Sequence, residues 1–551
     1  MYFIYKKQFD NFLKTFLVSL FFVLINYSSI SAQMLSFPTA EGSGRFSTGG
    51  RGGDVYEVTN LNNSGPGSIV DAVSSGNRTI VFRISGTIEL GNVILRPKSN
   101  TTIAGQTAPG DGICLKGRIH IGSVSNVIIR FIRVRVDEGA ANSNGDAIDI
   151  ESGTNIIIDH VSASYARDET ISCQEESDKV TVQWCIMSEA LTFELHSYGS
   201  LIRGDYGDEK TYHHNLYAHN RGRNPRPGNY TGSSTDPEGL HFDFRNNVVY
   251  NWGGSKAGYN ADDQTVSRYN FIGNVYVRGP ESSSNSLIFQ ESSVDAFGYF
   301  EDNSIDGVVP EDPWSIVKFD GFSEEQINTY KSRSYLIPME PVWTTSPEQA
   351  KTDVLTWAGA NFPQRDTIDT RIVNDVLNKT GHSIISTDDQ PEGGWPVLNS
   401  LPALPDGDHD GMPNDWEQAH GLDSTDYEDR NDIGEGGYTQ LEIYLNELVK
   451  GYVTGVEDDA SYIPQEFVLH QNYPNPFNPT TVISYQVPVA GHVTLKIYDI
   501  LGNEVLTLVN KEESAGSYKK EFNANGLSSG VYFYRLFYSD KALTKKMLLI
   551  R

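Results

Sequence analysis

Between Thr79 and Val277 the chain repeats one pattern: a short apolar run rich in β-branched residues, a polar turn, then another run. The runs are TIVFRISGTIEL (79–90), NVIIRFIRVRV (126–136), NIIIDHVSASY (155–165), KVTVQWCIM (179–187), TYHHNLYAHN (211–220), HFDFRNNVVYNW (241–252) and SRYNFIGNVYV (267–277). From Asn126 onward their starts lie roughly 24 to 32 residues apart, the spacing of stacked solenoid coils. The wider gap from Thr79 to Asn126 leaves room for one more coil near Thr101. Few helical periods separate the runs, which disfavours an α/β crossover fold. Asparagine recurs at similar places, as in HNLYAHN, RNNVVYN and YNFIGN. It tolerates left-handed backbone and can bond sideways to the next coil. The pattern predicts an all-β chain built on a right-handed parallel β-helix, with a large β-sandwich as the alternative.

Two later segments break the pattern. Residues 402–451 contain Asp406-Gly-Asp408-His-Asp410-Gly411-Met412-Pro-Asn414-Asp-Trp-Glu417, which fits D-x-D-x-D-G-x₅-E. Asp406, Asp408, Asp410, Asn414 and Glu417 would supply side-chain oxygens and Met412 its carbonyl to a structural Ca2+, while Gly411 permits the sharp turn. The loop resembles the calcium-binding repeats attached to many secreted bacterial enzymes, and GGYTQLEIYLNEL (436–448) reads as a short amphipathic helix closing it. After a linker at 452–466, residues 467–551 alternate strands with Gly and Asn turns, as an Ig-like sandwich of about seven strands would. Their YPNPFNP, YDILGNEV and SGVYFYRL segments closely resemble type IX secretion sorting domains, which implies export, a secretion machinery as partner and surface attachment.

The N-terminus agrees with export. Lys6, Lys7 and Lys14 precede the apolar run at 16–25, and Ala32 offers a small residue for cleavage, so residues 1–32 read as a signal peptide. Three cysteines cannot all pair and read as buried thiols. A net charge of −28 argues against nucleic acid as partner, and it requires local cations wherever an anionic substrate binds.

Those cations concentrate in YHHNLYAHNRGRNPR (212–226), which ends in Arg223-Asn224-Pro225-Arg226. Guanidinium groups bind carboxylates in a planar, two-pronged geometry, and Pro225 restricts the backbone between them. Such a pair suits a polymer with regularly repeated carboxylates. His213, His214 and His219 read as packing residues, and Asp159-His160 as structural hydrogen bonding.

Around this segment, GSGRFSTGGRGGD, TTIAGQTAPGDGICLKG, GDAIDI, IIDHVSASYARDETIS, VQWCIMSEAL and HSYGSLIRGD follow in order. Together they resemble the pectate lyase superfamily, in particular polysaccharide lyase family one. The resemblance implies a secreted, monomeric lyase that cleaves polygalacturonate by calcium-assisted β-elimination. It makes Arg223 the base, Arg226 the substrate-carboxylate clamp, His196 a substrate-binding residue, and Asp146, Asp168 and Glu169 the ligands of an active-site Ca2+. Three positions depart from the family: Asn144 and Ser172 stand where further carboxylates are usual, and Gly228 stands where the second arginine is usual. A lyase for methylated pectin, a β-helix hydrolase and a non-catalytic glycan binder compete with this reading. The segment from Val277 to Leu401 is expected to carry insertions that shape the cleft.

Overall fold

A computed structural model describes residues 33–550 except 138, 140–144, 193–195, 388–394, 454–466, 470, 473–474, 488–490, 514–515 and 539–540. The expected signal peptide, most of the linker, and Asn144 therefore lie outside the described residues. The chain divides into two compact units, Met1–Val453 and Thr454–Arg551.

The first unit is a parallel β-helix. Ten strands from Asp54–Val58 to Phe297–Glu301 stack in parallel as its first face. A second face runs from Ile132–Arg135 through Ser162–Ser164, Ile186–Ser188, Leu216–Ala218 and Val248–Tyr250 to Ser304–Ile305. The third carries Ile148–Glu151, Ile171–Gln174, Leu201–Arg203 and Arg226–Gly228, and continues in Gly254–Asn260, Ser282–Glu291 and Val317–Phe319. The long strand Ile113–Gly122 joins the last two faces, pairing with Ile132–Arg135 by its first half and with Ile148–Glu151 by its second.

Each apolar run in the sequence is thus two strands joined by a bend of one to three residues. The bend needs a left-handed backbone, adopted by Phe131, His160, Trp184, His214 and Asn246 at φ between 49° and 54°. Because the coils stack, these side chains form a column: Phe131 on His160 at 4.7 Å and Trp184 on His214 at 4.3 Å. Beside it runs an amide ladder, in which the Asn215, Asn247 and Asn274 N–H groups donate to Asn247, Asn274 and Asn303 Oδ1 at 3.0, 3.0 and 3.2 Å. The ladder satisfies backbone groups that the tight turn leaves unpaired, each bond contributing about 1 kcal/mol. Burial pushes the His214 imidazole down to about 3 and His213 well down too, so both are neutral packing groups. Cys114, Cys173 and Cys185 are buried free thiols.

The segment after Val277 continues the β-helix, adding strands Ser282–Glu291 and Val317–Phe319 to the third face. It completes the last coils, and helix Glu324–Ser332 brings Tyr330 into the main core at the end of the stack. Helices Pro347–Trp357 and Thr367–Asn378 cover the second face, packing Val354, Ile368, Ile372 and Val376 on Ile186, Leu216, Val248 and Val275. Buried Arg135 anchors them through Asp366 at 2.6 Å and Asp369 at 3.0 Å. Removing one partner of such a pair strands a buried charge and costs about 3–5 kcal/mol. On the first face, Met412, Leu441, Tyr444 and Leu445 pack around Ala104, so residues 402–451 belong to the same compact unit. A helix Asn414–His420 lies inside the acidic motif, and Gln440–Leu448 is the expected closing helix.

The second unit has two antiparallel sheets. One holds Val468–Leu469, Thr480–Val487 and Gly516–Asn523; the other holds Gly491–Tyr498, Glu504–Glu513, Gly530–Tyr538 and Lys541–Leu549. Ile483, Tyr485, Val493, Leu495, Tyr534 and Leu536 share one core between them, which makes a β-sandwich.

Candidate active site

The third face alternates inward aliphatic and outward polar side chains, as in Ile148, Asp149, Ile150 and Glu151. Stacking then aligns outward residues from successive coils, although they are far apart in sequence. Asp146 immediately precedes the strand Ile148–Glu151, and Asp168 and Glu169 precede Ile171–Gln174. Glu169 pairs with Tyr198, and Tyr198 with Gly222, so the next two coils bring Tyr198 and then Arg223 into the same row.

Oxygen atoms of Asp146, Asp168 and Glu169 lie within 4.8 Å of one another. Asp146 Oδ1 accepts the Glu169 N–H at 3.1 Å, and its Oδ2 accepts the Ser172 hydroxyl. Ser172 thus serves the cluster as a donor where a fourth carboxylate was expected. Burial pushes the Asp146 and Glu169 carboxyls up; the Asp146 charge raises Glu169 further, whereas hydrogen bonds from Ser172 and Glu169 partly oppose the rise of Asp146. Asp168 Oδ1 is buried with no donor, although the Asp168 side chain is 40% exposed. Hard carboxylate oxygens, one of them unpartnered beside open solvent, fit calcium.

Arg223 has φ 54° and spans the carboxylates, its Nη1 bonded to Glu169 Oε1 and 3.8 Å from Asp168 Oδ1. Its guanidinium lies 3.9 Å above the Tyr198 ring, and the His196 ring lies 5.1 Å from the same Tyr198 ring. Burial pulls the Arg223 pKa down, but Glu169 and Tyr259 more than offset this and hold it above the ordinary value. Arg226 is held by a different carboxylate from Arg223. Its Nη2 reaches Asp262 Oδ1 at 3.1 Å, and its guanidinium lies 5.5 Å from the Tyr259 ring.

Sequence reasoning missed Arg203, which lies within HSYGSLIRGD. Arg203 pairs in register with Gly228 and binds the same Asp262, with Nε 3.0 Å from Oδ2. A side chain at Gly228 would collide with that Asp262 carboxylate. The guanidinium missing at 228 is therefore supplied from the preceding coil. Coil spacing was the available signal: Arg203 precedes Gly228 by about one repeat. Also missed were His120, on the coil before Asp146, and Asp149, on the strand that follows Asp146; the two are hydrogen-bonded, with Glu151 beside them.

The acidic loop lies apart from this row, on the first face. Asp406, Asp408 and Asp410 bring carboxylate oxygens within 4.8 Å of one another, and Glu417 joins Asp410. Met412 donates its N–H to Asp410 Oδ1 at 2.8 Å, and Asn414 Oδ1 accepts the Gly407 N–H at 2.7 Å.

Comparison with known proteins agrees with this layout. A family model described as pectate lyase matches residues 13–230, and one described as a secretion system C-terminal sorting domain matches 471–550. The latter marks the chain for secretion or cell-surface attachment. A protein named "Probable pectate lyase C" from Aspergillus fumigatus is 37% identical over 431 residues, covering 77% of this chain and 96% of its own. Its namesake from Emericella nidulans is 35% identical over 430 residues, covering 76% and 94%. A solved structure titled "Pectate lyase bound to hexasaccharide" shares 16% identity and a TM-score of 0.40, covering 60% of this chain and 99% of its own.

Proposed function

The chain belongs to the pectate lyase family, and from that premise we propose that it cleaves polygalacturonate by calcium-assisted β-elimination at the arginine–carboxylate row of the third face. The observation that carries this reading is a juxtaposition on successive coils: Arg223 bonded to the cluster Asp146, Asp168 and Glu169, with Arg203 and Arg226 sharing Asp262 along the same face. In a strongly anionic chain these guanidinium groups supply the local cations that a polyuronate requires.

A uronate C5 proton is weakly acidic because it lies alpha to a carboxylate. A calcium ion held by Asp146, Asp168 and Glu169 would withdraw charge from that carboxylate and favour the enolate-like transition state. Arg226, with Arg203 beside it, binds the carboxylate of a neighbouring sugar in exchange for Asp262, and His196 with Tyr198 lines the sugar path. Arg223, after giving a proton to solvent, accepts the C5 proton as a neutral guanidine; the C5–H electrons form the C4=C5 double bond as the C4–O bond breaks, and the departing oxygen takes up a proton from solvent. Glu169 meets two demands in this scheme. As partner of Arg223 it keeps the guanidinium protonated; as a ligand to calcium it would relax that hold, which would couple base and metal site.

We assign the catalytic role to residues 33–401 and a structural calcium to Asp406, Asp408, Asp410, the Met412 carbonyl, Asn414 and Glu417 within 402–451. Residues 467–551 are the address for a type IX machinery. The experiment is the ultraviolet absorbance of unsaturated uronide released from polygalacturonate, with and without chelator. Products lacking that absorbance would mark a hydrolase, and equal rates in chelator would remove calcium from the reaction.

A further inference from the structure

We propose that the Asp406–Glu417 loop is only half of its cation site, and that Asp429, outside the motif, supplies the other half, so that one calcium ion clamps the turn at 423–432 to the loop. The proposal rests on reading the loop as a calcium site but does not follow from it, since the motif ends at Glu417.

Carboxylate oxygens of Asp410, Glu417 and Asp429 lie within 4.8 Å of one another. Asp410 and Glu417 are fully buried, and Asp429 is 9% exposed. Asp408 Oδ1 and Oδ2, Asp410 Oδ2, Glu417 Oε1 and Oε2, and Asp429 Oδ1 are buried with no hydrogen-bond donor. Buried carboxylates left without partners are costly, and a protein that gathers several of them needs a cation there. The nearby arginines do not fill the role. Arg83 reaches Asp406 at 3.6 Å, and Arg430 turns to Glu428 at 3.5 Å. An all-oxygen set with no nitrogen or sulfur selects a hard ion and suits calcium, which takes about six to eight oxygens.

The same geometry withdraws the Asn414 side chain from the ligand set. Its oxygen is already committed to the Gly407 N–H, whereas Asp429 uses only Oδ2, accepting the Asp423 N–H at 2.9 Å, and leaves Oδ1 facing the cluster. Both halves are tied to the first coils of the β-helix. The loop reaches Glu57 through His409 at 2.8 Å and Arg83 through Asp406. The turn reaches Gly53 through Arg430 at 3.3 Å, and the Tyr427 hydroxyl accepts the Val55 N–H at 3.0 Å. An ion between them closes a circuit that holds the cover on the first face.

The test is a calcium titration of melting temperature in the full chain, starting from chelator. In Asp429→Asn the calcium needed for the half-maximal rise should increase about tenfold or more, because a charged ligand is lost. Its melting temperature in chelator should match wild type, and its turnover on polygalacturonate at saturating calcium should not change. Asp415→Asn, an exposed carboxylate on the helix Asn414–His420, should titrate as wild type. A wild-type titration for Asp429→Asn overturns the proposal, and so does a loss of stability confined to chelator. Replacing Asp406, Asp408 and Asp410 together by Asn tests the underlying reading separately. If that variant keeps the calcium-induced rise, the loop itself is not the site.

Discussion

At the scale of single residues, the site works by sharing. Asp262 serves two arginines and Glu169 touches both Arg223 and the acidic cluster, so each substitution there has a specific signature. Arg203→Ala should raise KM for polygalacturonate several-fold with a smaller change in kcat, since Arg203 contacts a carboxylate away from the bond that breaks. A kcat loss without a KM change would place Arg203 in the chemistry instead. Asp146→Ala removes a carboxylate that both anchors the cluster and accepts from Ser172 and Glu169. The calcium needed for half-maximal activity should rise about tenfold or more. An unchanged calcium dependence would put the catalytic metal elsewhere. Arg223, Arg226 and the acidic trio were legible in the sequence because they sit in compact motifs. Arg203, Asp262 and Tyr198 were not, because only the stacking of coils brings them to the same place.

At the scale of elements, the repeat announced the coils but hid their corners. NVIIRFIRVRV reads as one strand, yet Phe131 turns it between two faces, and nothing in its hydrophobicity marks the bend. Its equivalents are His160, Trp184 and His214, residue types that rarely signal left-handed backbone; only Asn246 does so openly. The strands of the functional face have three or four residues in Leu201–Arg203, Arg226–Gly228 and Ile171–Gln174, too short to show a period. The end of the β-helix supplies a pH test. Glu291 accepts from Asn260 at 3.0 Å, the Ser293 N–H at 2.8 Å, Tyr330 at 2.8 Å and Tyr269. Burial pushes its carboxyl from 4.5 up to about 8, with those donors only partly opposing. The folded chain therefore holds this proton more tightly than the unfolded one. The associated stability is complete below the unfolded value of 4.5 and is lost as pH rises through about 8. Glu291→Gln should flatten the melting-temperature profile across that window relative to wild type. Parallel profiles would show that Glu291 is not the responsible group.

At the scale of the whole molecule, the β-helix of this acidic chain gathers Arg203, Arg223 and Arg226 on one outer face and packs other segments on the other two. Helices Pro347–Trp357 and Thr367–Asn378 occupy the second face and the acidic-loop unit the first, which leaves the third open for a polymer. The composition shift at residue 402 was legible in the sequence, but its packing on Ala104 and Val55 was not, because those contacts join segments some 300 residues apart. A chain ending before residue 467 should keep its turnover and lose export, as measured by specific activity of the purified protein and by its distribution between cells and medium. Loss of specific activity would make the sorting unit part of the enzyme. The central claim is that Arg223 takes a proton during calcium-assisted elimination. It is tested most directly by the rate of ultraviolet absorbance on polygalacturonate for wild type and Arg223→Lys, each with saturating calcium and with chelator. Lysine keeps the charge but not the guanidinium geometry. Wild type should be active only with calcium, and the variant should be inactive in both while melting like wild type. A variant retaining more than about a tenth of wild-type turnover, or wild-type activity that survives chelator, would contradict the account.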